Sequence, residues 1–133
     1  MKRKLIVLTF VLILILIAAS GCQAEQKQTL SILNYDIYMD KSLLAEFEKA
    51  NNVTIKYDTY STPEEMYIKV KSGASKYDLI ISGEYMIERM IRENLVNKLN
   101  FDNIPNYKYI GDDFKNHVYD PNNEYSVPYF WGT

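Results

Sequence analysis

Three short apolar segments alternate with amphipathic segments between residues 29 and 94, and no other feature constrains the fold as tightly. Thr29–Leu33, Val53–Tyr57 and Asp78–Ile81 have the composition of β-strands. A longer stretch with apolar residues at helical spacing follows each of them. Because helical crossovers join parallel strands, the sequence predicts the order β-α-β-α-β and an open, mainly parallel α/β sheet. The third strand carries consecutive apolar residues, which predicts burial on both faces.

Each connecting stretch is predicted to be a helix with one apolar face. Thr62-Pro-Glu-Glu65 is a strong helix start, because Thr can cap, Pro fits the first helical position and Glu follows in the first turn. That helix is expected to end near Gly73, while Asp40 and Ser82-Gly83 precede the other two. The apolar residues form one stripe or side in each helix, and those of the third are expected to face inward: Leu43, Leu44, Phe47 and Ala50 in the first helix, Met66, Tyr67 and Val70 in the second, and Ile87, Met90 and Ile91 in the third.

The chain beyond residue 99 gives weaker signals. Asn100 to Asn123 is rich in Asn, Asp, Tyr and Pro, and a short helix is predicted around Asp112–His117. Tyr125–Trp131 is mostly aromatic and β-branched, which predicts a strand or an extended segment.

The carboxyl ends of the predicted strands are unusual in composition. In open parallel sheets the ligand lies beyond these ends. Here they are Asn34–Tyr38, Asp58–Tyr60 and Ser82–Tyr85, which are rich in aromatic and acidic residues. Aromatic faces together with a carboxylate match an organic ammonium ion. A ring face contributes about 0.5–2 kcal/mol to cation binding, and a charge-assisted hydrogen bond about 1.5–3 kcal/mol.

The candidate cation site therefore contains Tyr35, Tyr38 and Tyr85 as ring faces and Asp36 or Glu84 as the negative charge. A second interpretation remains open from composition alone. Tyrosines at strand ends often pack at the rim of a sheet, and acidic residues at helix starts interact with the helix dipole.

The first part of the chain has the pattern of an export signal. Lys2, Arg3 and Lys4 precede the apolar run Leu5–Ala19, which is short for a membrane span. The small residues that follow and end at Cys22 resemble a bacterial lipobox. The pattern predicts a lipoprotein signal peptide over residues 1–21 and a polar tether over 22–28 after a lipidated Cys22. The predicted location is extracytoplasmic and lipid-anchored, with an ordinary signal peptide or an uncleaved anchor as alternatives.

Charge and cysteine content exclude several classes. The formal net charge is −2, and without the three basic residues at the start it becomes −5, so no basic stripe for nucleic acid is present. Cys22 is the only cysteine, which excludes a disulfide framework, a thiolate zinc site and a cysteine nucleophile. His117 is the only histidine, and the chain has no nucleophile elbow, Walker loop or dinucleotide fingerprint. The sequence therefore predicts no enzyme and no cofactor.

One segment imitates the start of a calcium loop. Asp120, Asn122 and Glu124 have the spacing of the first ligands. The loop needs Gly at its sixth position and Glu at its twelfth, where this chain has Tyr125 and Trp131. No metal site is predicted.

Three segments carry a resemblance to the spermidine/putrescine-binding proteins of bacterial ABC transporters. Leu33–Tyr38, Lys76–Met86 and Asp120–Gly132 resemble the family's motifs, the last being long and specific. The resemblance implies a periplasmic-binding-protein-like (type II) lobe, with residues 29–133 forming only the first part of lobe 1. It also implies a binding protein that captures polyamines and delivers them to ABC permease subunits.

The resemblance also assigns ligand-binding roles. Tyr35 occupies the position of the family's stacking Trp, Tyr38 and Tyr85 coincide with its tyrosines, and Asp36 falls where the family has hydroxyl or acidic residues. The family's Pro-Ser is Ser82-Gly83 here, so the hydroxyl is displaced by one position, and Glu84 replaces a smaller polar residue. These departures leave the choice of polyamine open.

Two alternatives to polyamine capture remain. The same fold can bind another small organic cation, or the chain can be a surface lipoprotein remnant without a ligand. Family members close two lobes over the ligand, and the second lobe supplies further acids and aromatics. The part of the site in this chain is therefore expected to bind weakly by itself.

Overall fold

A computed structural model describes residues 27–130 and Gly132. The predicted signal peptide, the predicted lipidation site Cys22, most of the predicted tether and Trp131 lie outside the described residues. The regular elements are β1 (Gln28–Tyr35), α1 (Lys41–Asn51), β2 (Val53–Tyr60), α2 (Pro63–Ser72), β3 (Leu79–Ile80) and α3 (Glu84–Arg92). Three short 3-10 turns follow, at Phe101–Asn103, Pro105–Tyr109 and Asp112–Phe114.

The strands form the predicted parallel sheet, in the order β2-β1-β3. β1 pairs with β2 along its whole length, from Gln28 opposite Val53 to Tyr35 opposite Tyr60. β3 is much shorter and pairs only at Leu79 and Ile80. Because all strands run the same way, their carboxyl ends meet at one edge. The predicted β-α-β-α-β order and the α/β class are confirmed.

The predicted start of α2 is also confirmed. Thr62 Oγ1 accepts a hydrogen bond from the Glu65 amide at 3.2 Å, and the Glu65 carboxylate accepts one from the Ser61 amide at 2.9 Å. Two amides that the helix leaves unpaired are thereby satisfied. The helix ends at Gly73, whose φ of +63° suits a residue without a side chain.

The main core lies between one face of the sheet and helices α2 and α3. Its buried members are Leu33, Tyr60, Met66, Tyr67, Met86 and Met90. Met66 and Tyr67 were predicted to lie on the apolar side of their helix and Met90 to face inward, whereas Met86 was not predicted to do so. Ile91, predicted to face inward, is only partly buried.

Two burial predictions are wrong. The predicted apolar face of α1 contributes no buried residue, and Leu43 and Phe47 are 54% and 47% exposed. Leu79 in β3 is 49% exposed, although both faces of this strand were predicted to be buried. Both errors have the same origin, the position of α1. This helix packs along β2, which is an edge strand, and β3 is at the opposite edge of the sheet, so α1 does not cover β3. In the part of the chain that the structure describes, nothing fully covers Leu79.

The later elements are shorter than predicted. The helix expected around Asp112–His117 is a single 3-10 turn that ends at Phe114. Residues 125–130, expected to be a strand or extended, form no strand. Pro128 lacks the amide hydrogen that a strand ladder needs. Among the described residues, no helix is long and apolar enough to cross a bilayer.

Candidate ligand-binding site at the carboxyl edge of the sheet

The strand ends bring the candidate residues to one edge. Tyr35 is the last residue of β1, and the chain turns immediately after it. The Asp36 amide donates to the Tyr60 carbonyl at 3.3 Å, and the Tyr38 amide donates to the Tyr35 carbonyl at 3.2 Å. This turn folds Tyr38 back towards Tyr35 and leaves Asp36 on the outside.

Five rings form a continuous group at this edge, which we call the aromatic cluster: Tyr35, Tyr38, Tyr60, Tyr129 and Phe130. Tyr35 and Tyr38 stack with ring centroids 5.1 Å apart and planes 30° apart. Tyr60 meets Tyr35 edge-on at 5.1 Å. Phe130 meets Tyr38 edge-on at 4.9 Å, and Tyr129 lies against Phe130 at 5.1 Å. Offset and edge-on pairs at these distances are attractive.

Tyr60 is the buried base of the cluster. Its side chain is almost fully covered, and its hydroxyl donates to the Ile81 carbonyl at 2.7 Å, which ties the end of β2 to the end of β3. Burial raises the pKa of the Tyr60 hydroxyl, and the nearby hydroxyls of Tyr35, Tyr38 and Tyr85 raise it further. Two of the three predicted ring faces, Tyr35 and Tyr38, therefore lie in one group with this buried tyrosine.

The outer rings are accessible to a ligand. Tyr38 is 42% exposed, Tyr85 55% and Phe130 60%. Tyr85 lies over Gly83, where an added Cβ would be 3.4 Å from the Tyr85 ring. A Cβ at position 83 would thus be in ordinary van der Waals contact with the ring.

The acidic candidates are exposed and without an opposite charge. Asp36 and Glu84 are both at the surface of the edge, and neither forms an ion pair within residues 27–130. Glu84 begins α3, where its charge also interacts favourably with the helix dipole. Asp36 is in a turn outside any helix, so this alternative explanation does not apply to it.

Ser82 and Asn34 supply polar atoms that have no partner. The Ser82 hydroxyl and the Asn34 amide nitrogen are buried and make no hydrogen bond in the structure. An unsatisfied buried polar group costs about 1–3 kcal/mol. Ser82 lies two residues beyond the end of β3 and close to the Tyr60 hydroxyl, so its hydroxyl is at the same edge as the ring faces.

The sequence predicted the candidate residues at the strand ends, but it gave no ligand-binding role to three rings of the aromatic cluster, namely Tyr60, Tyr129 and Phe130. Tyr60 was recognised at a strand end without a role, because β2 was expected to stop at Tyr57. Tyr129 and Phe130 belong to the long Asp120–Gly132 motif, and their contact with Tyr38 spans more than ninety positions of the chain. That motif is the only signal that indicated their importance. Within the described residues, no group of three or more potential ligands could hold a metal ion.

A parallel α/β lobe whose carboxyl edge carries accessible rings and acids has the architecture of a lobe of a solute-binding protein, and comparison with known proteins supports this fold. Residues 1–115 match the profile of a family described as hypothetical lipoproteins (MG045 family). The chain belongs to this family.

Solved structures share the fold. One is the spermidine/putrescine ABC transporter substrate-binding protein PotD from Streptococcus pneumoniae, with 40% identity and a TM-score of 0.77 over 80% of this chain and 33% of that one. Another is the Tp0655 (TpPotD) lipoprotein of Treponema pallidum, with 36% identity and a TM-score of 0.72 over 77% of this chain and 33% of that one. The described residues therefore have the fold of part of a periplasmic binding protein.

Curated relatives agree with the structures. The spermidine/putrescine-binding periplasmic protein of Escherichia coli is 34% identical over 116 residues, which are 85% of this chain and 33% of the relative. A putrescine-binding periplasmic protein of Pseudomonas aeruginosa is 30% identical over 86% of this chain and 32% of its own length. The chain thus spans about a third of the length of these relatives.

Proposed function

We propose that this chain is part of a substrate-binding protein that captures polyamines outside the cytoplasm for import by an ABC transporter. The observation that carries the proposal is the stacked Tyr35–Tyr38 pair beside the unpaired Asp36 at the carboxyl edge of the sheet. The names of the relatives, which bind spermidine or putrescine, support the same ligand class.

The proposed site recognises the ligand by stacking and charge pairing. Tyr35, Tyr38 and Tyr85 supply ring faces for the ammonium groups and the methylene chain. Asp36 and Glu84 supply negative charge, and Ser82 contributes a hydroxyl at the same edge of the sheet. None of these roles requires bond making or breaking, so the proposed function involves no catalysis.

Calorimetric titration of the complete gene product with spermidine, putrescine and a neutral disaccharide tests the proposal. Binding of either polyamine without binding of the sugar is the expected result. A simple monoamine of similar size serves as a second ligand control, because it offers one ammonium group instead of two. Binding of the monoamine alone would indicate another organic cation, and binding of the sugar alone would refute the proposal.

A lipid anchor at Cys22 is the second part of the proposal. Cys22 follows small residues and a short apolar run, and it is the only cysteine in the chain. The family description and the Treponema relative, both lipoproteins by name, support this anchor. An anchored binding protein stays close to the permease subunits to which it delivers its ligand.

Expression of wild type and Cys22→Ala in a bacterium that processes lipoproteins tests the anchor. Wild type should incorporate labelled fatty acid. Cys22→Ala should incorporate none while it is still exported. Equal labelling of both forms, or no labelling of wild type, would contradict the anchor without bearing on ligand binding.

A further inference from the structure

The carboxylate of Asp120 is enclosed by its own loop. The residue is only 3% exposed, and both carboxylate oxygens accept hydrogen bonds. One oxygen accepts from the Glu124 amide at 3.0 Å. The other accepts from the Tyr125 amide at 3.0 Å, the Ser126 amide at 2.9 Å and the Ser126 hydroxyl at 2.8 Å. Hydrogen bonds to an ionised carboxylate are shorter and stronger than neutral ones. The first residue of the spacing that imitates a calcium loop, Asp120, therefore binds backbone amides.

The same loop is attached to the body of the protein at two further points. Asn123 is buried with a φ of +50°, and its side-chain oxygen accepts from the Asn116 amide at 2.7 Å. The Leu99 amide donates to the Glu124 carbonyl at 2.7 Å, and Lys98 forms an ion pair with the Glu124 carboxylate at 2.8 Å. These hydrogen bonds and the ion pair thus hold Glu124 in one position relative to the rest of the protein.

Residues 126–130 leave this loop and reach the candidate site without strand pairing inside the described ranges. At the far end, the Tyr129 hydroxyl donates to the Tyr38 carbonyl at 2.9 Å, and Phe130 meets the Tyr38 ring at 4.9 Å. The course of the segment therefore depends on how its two ends are held. Asp120 holds the first end through three consecutive amides.

We propose that Asp120 is a positioning residue for the ligand site: its buried carboxylate aims the segment 124–130 so that Tyr129 and Phe130 complete the aromatic cluster against Tyr38. The proposal rests on the proposed function only for its effect on ligand affinity. The effect on the cluster itself is independent of any ligand.

Asp120→Asn is the decisive substitution. The asparagine side chain has nearly the same shape, but one oxygen becomes an amide group that cannot accept and that opposes the backbone donors. In the folded variant, the proton contact between the Tyr38 and Phe130 rings, measured by nuclear Overhauser spectroscopy on the full chain, should be lost. The dissociation constant of the complete gene product for putrescine should rise about 3-fold or more, since a displaced ring changes one face of the site.

Two matched controls separate positioning from stability and from charge. Glu93→Gln removes another carboxylate that accepts hydrogen bonds, between α2 and α3, and it should lower the thermal midpoint while the ring contact stays. Asp113→Asn removes the same charge from an exposed turn and should change neither readout. All measurements are made below the unfolding midpoint of each variant.

The outcomes decide between the proposals. A folded Asp120→Asn that keeps the ring contact overturns the inference, and so does one that loses the contact with unchanged putrescine affinity. If Asp120→Asn fails to fold, Ser126→Ala, which removes one of the four donors, must weaken the ring contact; an unchanged contact overturns the inference. If no form binds a polyamine, the proposed function fails, and the ring contact still decides the role of Asp120 in the cluster.

Discussion

Tyr85 is the single residue whose removal tests the candidate site most cleanly. Its ring is 55% exposed and its backbone lies in the first turn of α3, where alanine is well tolerated. If the ring faces an ammonium group, Tyr85→Ala should weaken polyamine binding by about 1 kcal/mol, or about 5-fold. Calorimetry on the complete gene product gives this value. Tyr109→Ala, which removes a 76% exposed tyrosine that contacts no ring of the aromatic cluster among the described residues, should leave affinity unchanged.

Asp36 tests the charge component of the same site. Its carboxylate has no cationic partner among the described residues, so Asp36→Asn disturbs no ion pair there. The variant should bind putrescine more weakly and with a smaller loss of affinity between low and high salt. Asp113→Asn carries the same charge change on the surface and should keep the wild-type salt dependence. Identical salt curves for all three proteins would remove Asp36 from the site.

At this scale the sequence predicted the positions of residues better than their contacts. The strand-end rule places Tyr35, Asp36 and Tyr85 correctly at one edge, because it depends only on strand direction. The rule contains no information on which rings touch. Tyr38 meets Phe130 because of a backbone turn and a distant loop, and neither has a periodic signature.

Helices α2 and α3 are joined by an ionic cluster around Glu93. Its carboxylate accepts from the Tyr67 hydroxyl at 2.6 Å, from Lys71 at 2.9 Å and from Arg89 at 3.1 Å. The Arg89 guanidinium also lies 3.7 Å above the Tyr67 ring. The hydrogen bond from Tyr67, followed by those from Lys71 and Arg89, lowers the pKa of Glu93 from 4.5 to about 2.

This cluster should make the packing of α2 on α3 sensitive to acid. A carboxylate whose pKa is lower in the folded state stabilises the fold above its unfolded pKa of 4.5, and the contribution is lost as the pH falls towards 2. The difference in thermal midpoint between wild type and Glu93→Gln should therefore be largest near pH 6 and shrink towards pH 2. Glu88→Gln, an exposed change in the same helix, should show no such trend. A constant difference for Glu93→Gln would contradict the assignment.

The bounds of a helix could be predicted where capping residues mark them. The burial of a helix or strand could not be predicted, because it depends on which other elements pack against it. Thr62 and Gly73 define α2 because capping chemistry is local. The spacing of Leu43 and Phe47 indicates an apolar face, yet it cannot say which surface covers that face. The length of β3 depends on its partner strand, and only Leu79 and Ile80 pair. Consecutive apolar residues alone therefore overestimated both its length and its burial.

For the whole molecule, the small number of contacts that the candidate ligand-binding residues offer limits the affinity of this chain for a polyamine. Three ring faces and one carboxylate give about 3–9 kcal/mol before the cost of association. That cost is at least about 4 kcal/mol. The remainder, at most about 5 kcal/mol, corresponds to a dissociation constant no lower than about 0.2 mM. The relatives that bind polyamines are about three times as long, since the matched region is 33% of their length.

A chimera tests whether this chain supplies a working part of such a site. The matching third of the pneumococcal relative is replaced by residues 27–130 of this chain. The chimera should bind spermidine at least about 10-fold more tightly than the 133-residue chain by itself, because contacts from both parts then act on one ligand. The same chimera with Tyr85→Ala should lose about 5-fold, which assigns the gain to this edge of the sheet. A folded chimera that binds no better than the chain alone would mean that the aromatic edge does not face the ligand.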